Sequence, residues 1–363
     1  MNLTRRQFAY ASGATMMALA GALPVTEAAD AGPSATAVDP MTLVDPELRG
    51  PLQAFEKRMQ SGPPMEWTAK GLARMRSPGS VMPQVPALAT PAHVERMIPG
   101  PTGAPEVRVF IINAVADGRK RPAVLHMHGG GYILGRAADA VRSLQQLASA
   151  HDCVAVTVDY RLAPETRFPG SLEDNYAALR WLHEHADELG VDRNRIAVMG
   201  ESAGGGHAAA LAIAARDRGE VPLLLQVLIY PMLDDRTGSS RPAPPHIGKY
   251  VWTAEANRFG WGSLLGTRPG GAAVPAGAVP ARVQNVAGLA PAFIGVGSID
   301  LFVDEDLAYA QRLINAAVPT EVLVMPGAFH AFDALVPEAA VSKAFNAAWN
   351  AALTRAFATK ASA

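Results

Sequence analysis

The chain reads as one α/β unit, a mostly parallel sheet covered by helices on both faces, with a smaller appendage. Two observations predict this. From Val107 onward, short runs rich in Val, Ile and Leu alternate with longer segments of helical period. The runs are continuously apolar, as strands buried on both faces must be. At 363 residues, 49% apolar and 18% charged, the chain is long enough for one large core and a small lid.

The first element in chain order reads as a targeting segment. Residues 1–31 carry paired arginines, Arg5 and Arg6, then an Ala- and Gly-rich apolar stretch and small residues around Ala28. This resembles a twin-arginine export signal, which predicts a periplasmic or secreted protein with no stable membrane span once the signal is cut. Residues 32–100 read as a linker and N-terminal cap segment, with one helical patch, "DPELRGPLQAFEKRMQSG", whose Leu48, Leu52, Phe55 and Met59 recur at three- to four-residue spacing. Residues 101–363 read as the catalytic domain. Its strands are "VRVFIINA", "PAVLHMHGG", "CVAVTVDY", "RIAVMG", "LLLQVLIYP", "PAFIGVGS" and "TEVLVMPG". Between them lie the helical segments "DAVRSLQQLASAHD", "SLEDNYAALRWLHEHADELG", "AGGGHAAALAIAARDRG" and "DEDLAYAQRLINAA". Residues 232–266 interrupt the alternation with Tyr250, Trp252, Phe259 and Trp261 among turn residues, which predicts a lid over an apolar pocket.

A net charge of -1 provides no basic field for nucleic acid and no acidic tail for a basic partner, which leaves a small, neutral or weakly polar molecule as the ligand. The lone cysteine, Cys153, excludes an intramolecular disulfide framework and reads as a small buried hydrophobe.

Against this frame, "VMGESAGGGH" places Ser202 between Gly200 and Gly204, after a strand and before a helix. G-x-S-x-G in that context is a nucleophile elbow, and the helix that follows aims its positive end at any oxyanion formed there. Upstream, "HMHGGGY" supplies Gly129, Gly130 and Gly131 in a loop after a strand, where bare backbone can turn its amides toward a substrate. A zinc reading of His126 and His128 lacks a third ligand nearby, and His128 reads instead as a residue that orders the loop. His183 and His185 fall on an amphipathic helix, and His207 inside the helix after the elbow reads as packing. His330, in "PGAFHAFD" after the last strand, sits where a base is needed. Asp300 follows a strand directly, whereas Asp304, Glu305 and Asp306 fall on the first turn of a helix, where carboxylates are expected simply to complement the dipole. The chain order Ser202, Asp300, His330 differs from that of the chymotrypsin-like and subtilisin-like proteases.

Taken together, "HGGGY", "DYRLAPE", "GESAGG", "YPMLDDR", "GSIDLFVDEDLAYAQRL" and "PGAFHAF" resemble the hormone-sensitive-lipase-like branch of the α/β-hydrolases over residues 95–335. The resemblance implies an eight-stranded, mostly parallel sheet with a small helical cap, a catalytic triad of Ser202, Asp300 and His330, and an oxyanion hole of the Gly130, Gly131 and Ala203 amides. It asks for no cofactor or metal. Three positions depart from the family pattern: Glu201, Leu301 and Ala331 stand where Asp, Pro and Gly are more familiar. The expected activity is hydrolysis of short- to medium-chain carboxylic esters through an acyl-enzyme, with Tyr132, Trp252, Phe259 and Trp261 as candidate pocket residues. Amidase, lactonase or acyltransferase chemistry would use the same residues, and the other class is a binding protein on the same scaffold.

Overall fold

The computed structural model describes residues 39–62, 65–77 and 85–359, so the expected export signal, residues 1–31, lies outside the described residues, as does the start of the linker. Asp39 and Asp45 open the helices α1 (Pro40–Leu43) and α2 (Pro46–Ser61) by accepting hydrogen bonds from the Met41 and Glu47 amides, with proline as the first helical residue of each. Leu48 and Leu52 of α2 are fully buried, each contributing roughly 2 kcal/mol. Thr68 caps α3 (Ala69–Met75) in the same way through the Gly71 amide.

Eight strands follow: β1 (His93–Ile98), β2 (Val107–Ile112), β3 (Arg121–Met127), β4 (Val154–Asp159), β5 (Val191–Glu201), β6 (Leu225–Ile229), β7 (Ala292–Gly297) and β8 (Thr320–Met325). They form one sheet in the order β1-β2-β4-β3-β5-β6-β7-β8. Only β1–β2 and β2–β4 pair antiparallel; the rest is parallel, so the loops after β3, β5, β6, β7 and β8 emerge at the same edge. β1 falls inside the segment read from sequence as linker. Glu95 and Arg96 put charge on this edge, alongside the exposed Val94 and Met97.

The remaining helices are α4 (Val141–His151), α5 (Gly170–Glu184), α6 (Ala186–Leu189), α7 (Ala203–Arg218), α8 (Ala254–Leu265), α9 (Val303–Asn315), α10 (Phe332–Leu335) and α11 (Ala340–Ala358). One face of the sheet carries α5, α7 and α9 through Leu179, Leu211 and Leu313. The other carries α4, α11 and α2 through Leu144, Phe345 and Leu52. A third cluster lies at the carboxyl end of the strands, where Leu72 and Met75 of α3 meet Tyr132, Trp252, Trp261 and Phe302. This cluster is the cap. The expected lid, 232–266, is more ordered than its sequence suggests, because Thr253 caps α8 and Gly266 ends it in a left-handed turn. Among the described residues, no helix is long and apolar enough to cross a membrane.

Candidate active site

β5 ends at Glu201 and α7 begins at Ala203, which leaves Ser202 alone in the turn with φ 56° and ψ −120°. A side chain rarely adopts that backbone, so the fold must hold it there. It does so from both sides: the Ser202 amide donates to Ile229 O at 2.9 Å, and its carbonyl accepts from the Met232 amide at 2.9 Å. The turn is tight enough that a β-carbon on Gly200 would meet the Gly204 carbonyl at 2.3 Å, which explains both glycines of the motif.

The three residues of the expected triad come together at this edge of the sheet. His330 Nε2 lies 2.9 Å from Ser202 Oγ, and His330 Nδ1 lies 2.8 Å from Asp300 Oδ2. An ionised carboxylate only accepts, so Nδ1 carries the proton and Nε2 is free to accept from the hydroxyl. The second oxygen of Asp300, Oδ1, accepts from the Phe302 amide at 3.0 Å, which fixes the carboxylate plane. All three residues are buried. The imidazole is further flanked by the rings of Tyr230 at 4.9 Å and Phe302 at 5.2 Å, both edge-on, and by Trp252 at 6.4 Å. The Tyr230 hydroxyl donates to Asp333 at 2.9 Å, and burial beside Glu201 pushes the Asp333 carboxyl up to about 6.

The glycine loop after β3 turns back over the elbow. Gly130 (φ 122°) and Gly131 (φ 60°) occupy backbone conformations that favour glycine. The Gly130 carbonyl accepts from the Ile133 and Leu134 amides, at 3.1 and 2.8 Å. The Gly130 and Gly131 amides donate to no other described residue. Ala203 is the first residue of α7, where a helix leaves its amides unpaired. Three amides are thereby left without an acceptor among the described residues, and that of Ala203 lies at a helix end whose dipole favours negative charge.

The four aromatic candidates divide. Trp252 adjoins the imidazole, and its edge covers Gly131. Phe259 is half-buried, with Trp67 of the N-terminal segment 5.7 Å away; Trp67 also meets Trp252 at 5.9 Å. Tyr132 and Trp261 differ from the expectation of a pocket wall. Tyr132 commits its hydroxyl to Met232 O at 2.8 Å, and Trp261 has no exposed surface and stacks edge-on against Tyr132 at 5.0 Å. Both are packing beneath the loop.

The carboxylates of α9 also differ from expectation. Asp304 is exposed, but Glu305 and Asp306 are buried, where they do more than complement a dipole. Glu305 accepts from the Leu233 and Asp234 amides at 2.6 and 3.1 Å and so ties α9 to the segment after β6. Burial holds both carboxyls well above the usual range.

The histidines near the loop are structural. His128 donates from Nδ1 to Gly129 O at 2.8 Å and stacks on Tyr160 at 4.2 Å. Burial lowers its pKa, and it takes that of His207 down to about 3, so both stay neutral. His126 bridges Thr157 and Glu201, each at 3.0 Å. Burial would raise the Glu201 carboxyl, but His126 and the residue's own backbone together lower its pKa below the ordinary value. The departure at 201 is accommodated by this partner. Sequence reading missed Tyr230, Asp333 and Trp67, none of which has a local spacing to mark it. It also missed Arg76, which reaches the loop from the cap.

A family model described as alpha/beta hydrolase fold matches residues 124–334. The chain is 36% identical over 255 residues to the esterase LipI of Mycobacterium tuberculosis, covering 69% of this chain and 78% of that protein. It is 32% identical over 310 residues to the carboxylesterase NlhH of the same species, covering 82% and 92%. Among solved structures it is similar to a bacterial heroin esterase, with a TM-score of 0.75 and 32% identity over 88% of this chain and all of that one (100%).

Proposed function

The chain belongs to the hormone-sensitive-lipase-like α/β-hydrolases and is a carboxylic ester hydrolase; from that premise we propose that Ser202, His330 and Asp300 are its catalytic triad. The observation that carries the assignment is the unbroken line of hydrogen bonds from Ser202 Oγ through both nitrogens of His330 to Asp300. His330 Nε2 removes the hydroxyl proton as Oγ attacks the ester carbonyl. Asp300 holds the imidazole in the required tautomer and offsets the positive charge it acquires. The Gly130, Gly131 and Ala203 amides hold the carbonyl oxygen as it becomes an oxyanion. His330 then returns the proton to the departing alcohol. Water, deprotonated by the same nitrogen, cleaves the acyl-enzyme, and Ser202 regains its proton. Nothing in this sequence needs a metal or cofactor.

The acyl group is short to medium, roughly two to eight carbons. Supporting this are the large rings beside the site, Trp252 with Trp67 and Phe259, which limit how far a chain extends from Ser202. Each buried methylene gains about 0.8 kcal/mol until the space is full. A panel of p-nitrophenyl acyl esters, with fluorophosphonate labelling of wild type and Ser202→Ala, tests both parts. Labelling that survives in Ser202→Ala would overturn the nucleophile, and an optimum at sixteen carbons or more would overturn the chain length.

Residues 1–31 are proposed to export the folded chain, on the strength of Arg5, Arg6 and the small residues near Ala28. Unchanged export of an Arg5→Lys, Arg6→Lys double variant on cell fractionation would refute it.

A further inference from the structure

Arg76, the residue directly after α3, belongs to the cap, yet its guanidinium is committed to the catalytic domain. Its Nε donates to Ile133 O at 2.8 Å, and Nη2 donates to Ala163 O at 2.7 Å. The same group forms a two-pronged pair with Glu165, Nη1 to Oε1 at 2.8 Å and Nη2 to Oε2 at 3.0 Å. These partners lie 57, 87 and 89 residues away in sequence, so one side chain joins three segments. Only a planar fork can satisfy two carbonyls and a carboxylate at once.

What the fork holds matters because of where Ile133 lies. The turn from Gly130 to Leu134 is closed by the Ile133 and Leu134 amides, both donating to Gly130 O. In a trans peptide the carbonyl and the following N–H point in opposite directions. Fixing the Gly130 oxygen into the turn therefore turns the Gly131 N–H out of it. The turn is in its own right tied to the 163 segment, since the Ala163 amide donates to Tyr132 O at 3.0 Å. Arg76 completes that tie by bridging Ile133 O to Ala163 O. The cap end of the clamp is rigid as well: the Arg76 amide donates to Leu72 O at 2.9 Å, and Leu72 is buried among Tyr132, Ile133 and Trp252.

We propose that Arg76 is a positioning residue for the oxyanion loop: by clamping Ile133 to the 163–165 segment it sets the direction of the Gly131 amide. Through Arg76 the cap thus contributes to transition-state stabilisation by a side chain that does not itself touch the substrate. This rests on the reading that the Gly130, Gly131 and Ala203 amides receive the oxyanion.

The test separates transition-state from ground-state binding. Full-length wild type, Arg76→Ala and Arg76→Lys are assayed with p-nitrophenyl butyrate for kcat and KM, and with a trifluoromethyl ketone, whose serine adduct carries an oxyanion, for Ki. Arg76→Ala should lower kcat and raise Ki in parallel by about tenfold or more, with KM changing less than about threefold. A variant that merely loosens the cap would raise KM and leave the ratio of Ki to KM unchanged, which would overturn the proposal. Should Arg76→Ala fail to fold, Arg76→Lys keeps the charge and can reach one carbonyl but not all three acceptors. It should then show the same split, smaller in size, and wild-type kcat and Ki in Arg76→Lys would overturn the proposal. A wild-type protein that neither hydrolyses the ester nor labels at Ser202 would instead defeat the functional reading itself.

Discussion

The edge of the Trp252 ring rests on Gly131 so closely that a β-carbon on the glycine would lie 2.1 Å from Cη2. Gly131 also holds φ at 60°. A Gly131→Ala substitution therefore meets both a clash and a strained backbone. We expect kcat to fall by about a hundredfold or more, since the proposed oxyanion donor is displaced. Adding Trp252→Ala should restore part of the rate by removing the clash while the backbone strain remains. Full recovery in the double variant, or none, would show that only one of the two effects operates.

Asp300→Asn has a specific expected failure. Asp300 Oδ1 accepts from the Phe302 amide, so an asparagine keeps its oxygen there and turns its NH2 toward His330 Nδ1. The imidazole must then accept at Nδ1 and protonate Nε2, the wrong tautomer for a base. The rate should drop by roughly 10⁴-fold with melting temperature little changed. Near-normal turnover, read in the same ester assay, would mean that another carboxylate orients the histidine.

Asp333 makes stability depend on pH. Burial raises its carboxyl from the ordinary 3.8 to about 6, so the folded state binds the proton more tightly than the unfolded chain does. Stability from this group is present below pH 4 and is lost as pH rises through about 6, by at most on the order of 3 kcal/mol. Tyr230 and Glu201 are the groups that face it, and the phenol bond opposes the shift while Glu201 adds to it. Asp333→Asn should melt above wild type at pH 8, with the gap narrowing toward pH 4. A gap that stays constant with pH would refute the assignment.

Glu305 should tolerate the loss of its charge better than the loss of its oxygens. Burial raises its carboxyl well above the ordinary range, and its role is to accept the Leu233 and Asp234 amides. Glu305→Gln retains an acceptor and is expected to cost less than about 1 kcal/mol, whereas Glu305→Ala strands two buried amides and should cost about 3 kcal/mol or more. Equal costs by urea denaturation would count against this account.

Trp67→Ala should shift the acyl-length optimum upward by removing one of the three rings near the site. The p-nitrophenyl series would show it as a rise in kcat/KM for esters of ten or more carbons. An unmoved optimum would place the Trp67 ring outside the acyl path.

The sheet's interior is readable because its strands are uninterrupted apolar runs, and the meeting of Ser202, Asp300 and His330, proposed as the triad, because each follows such a run. β1 escaped because an edge strand shares its residues with solvent, so His93, Glu95 and Arg96 mask the pattern. α8 escaped because Gly260, Gly262 and its aromatics are poor helix formers, and burial of Trp261 and Leu264 stabilises it instead. Arg76 could not be read at all. An arginine in a Pro- and Gly-rich stretch carries no sign of partners more than fifty residues away. Likewise the Asp306 and Glu305 carboxyls look like ordinary first-turn residues until the fold buries them.

Ser202 occupies a backbone conformation that glycine would adopt more easily, at a cost of about 1–3 kcal/mol. A Ser202→Gly chain should therefore be inert and yet fold more stably than its parent. The serine thus stands where the backbone alone favours glycine, and the turn is held by its partners on either side rather than by the residue itself.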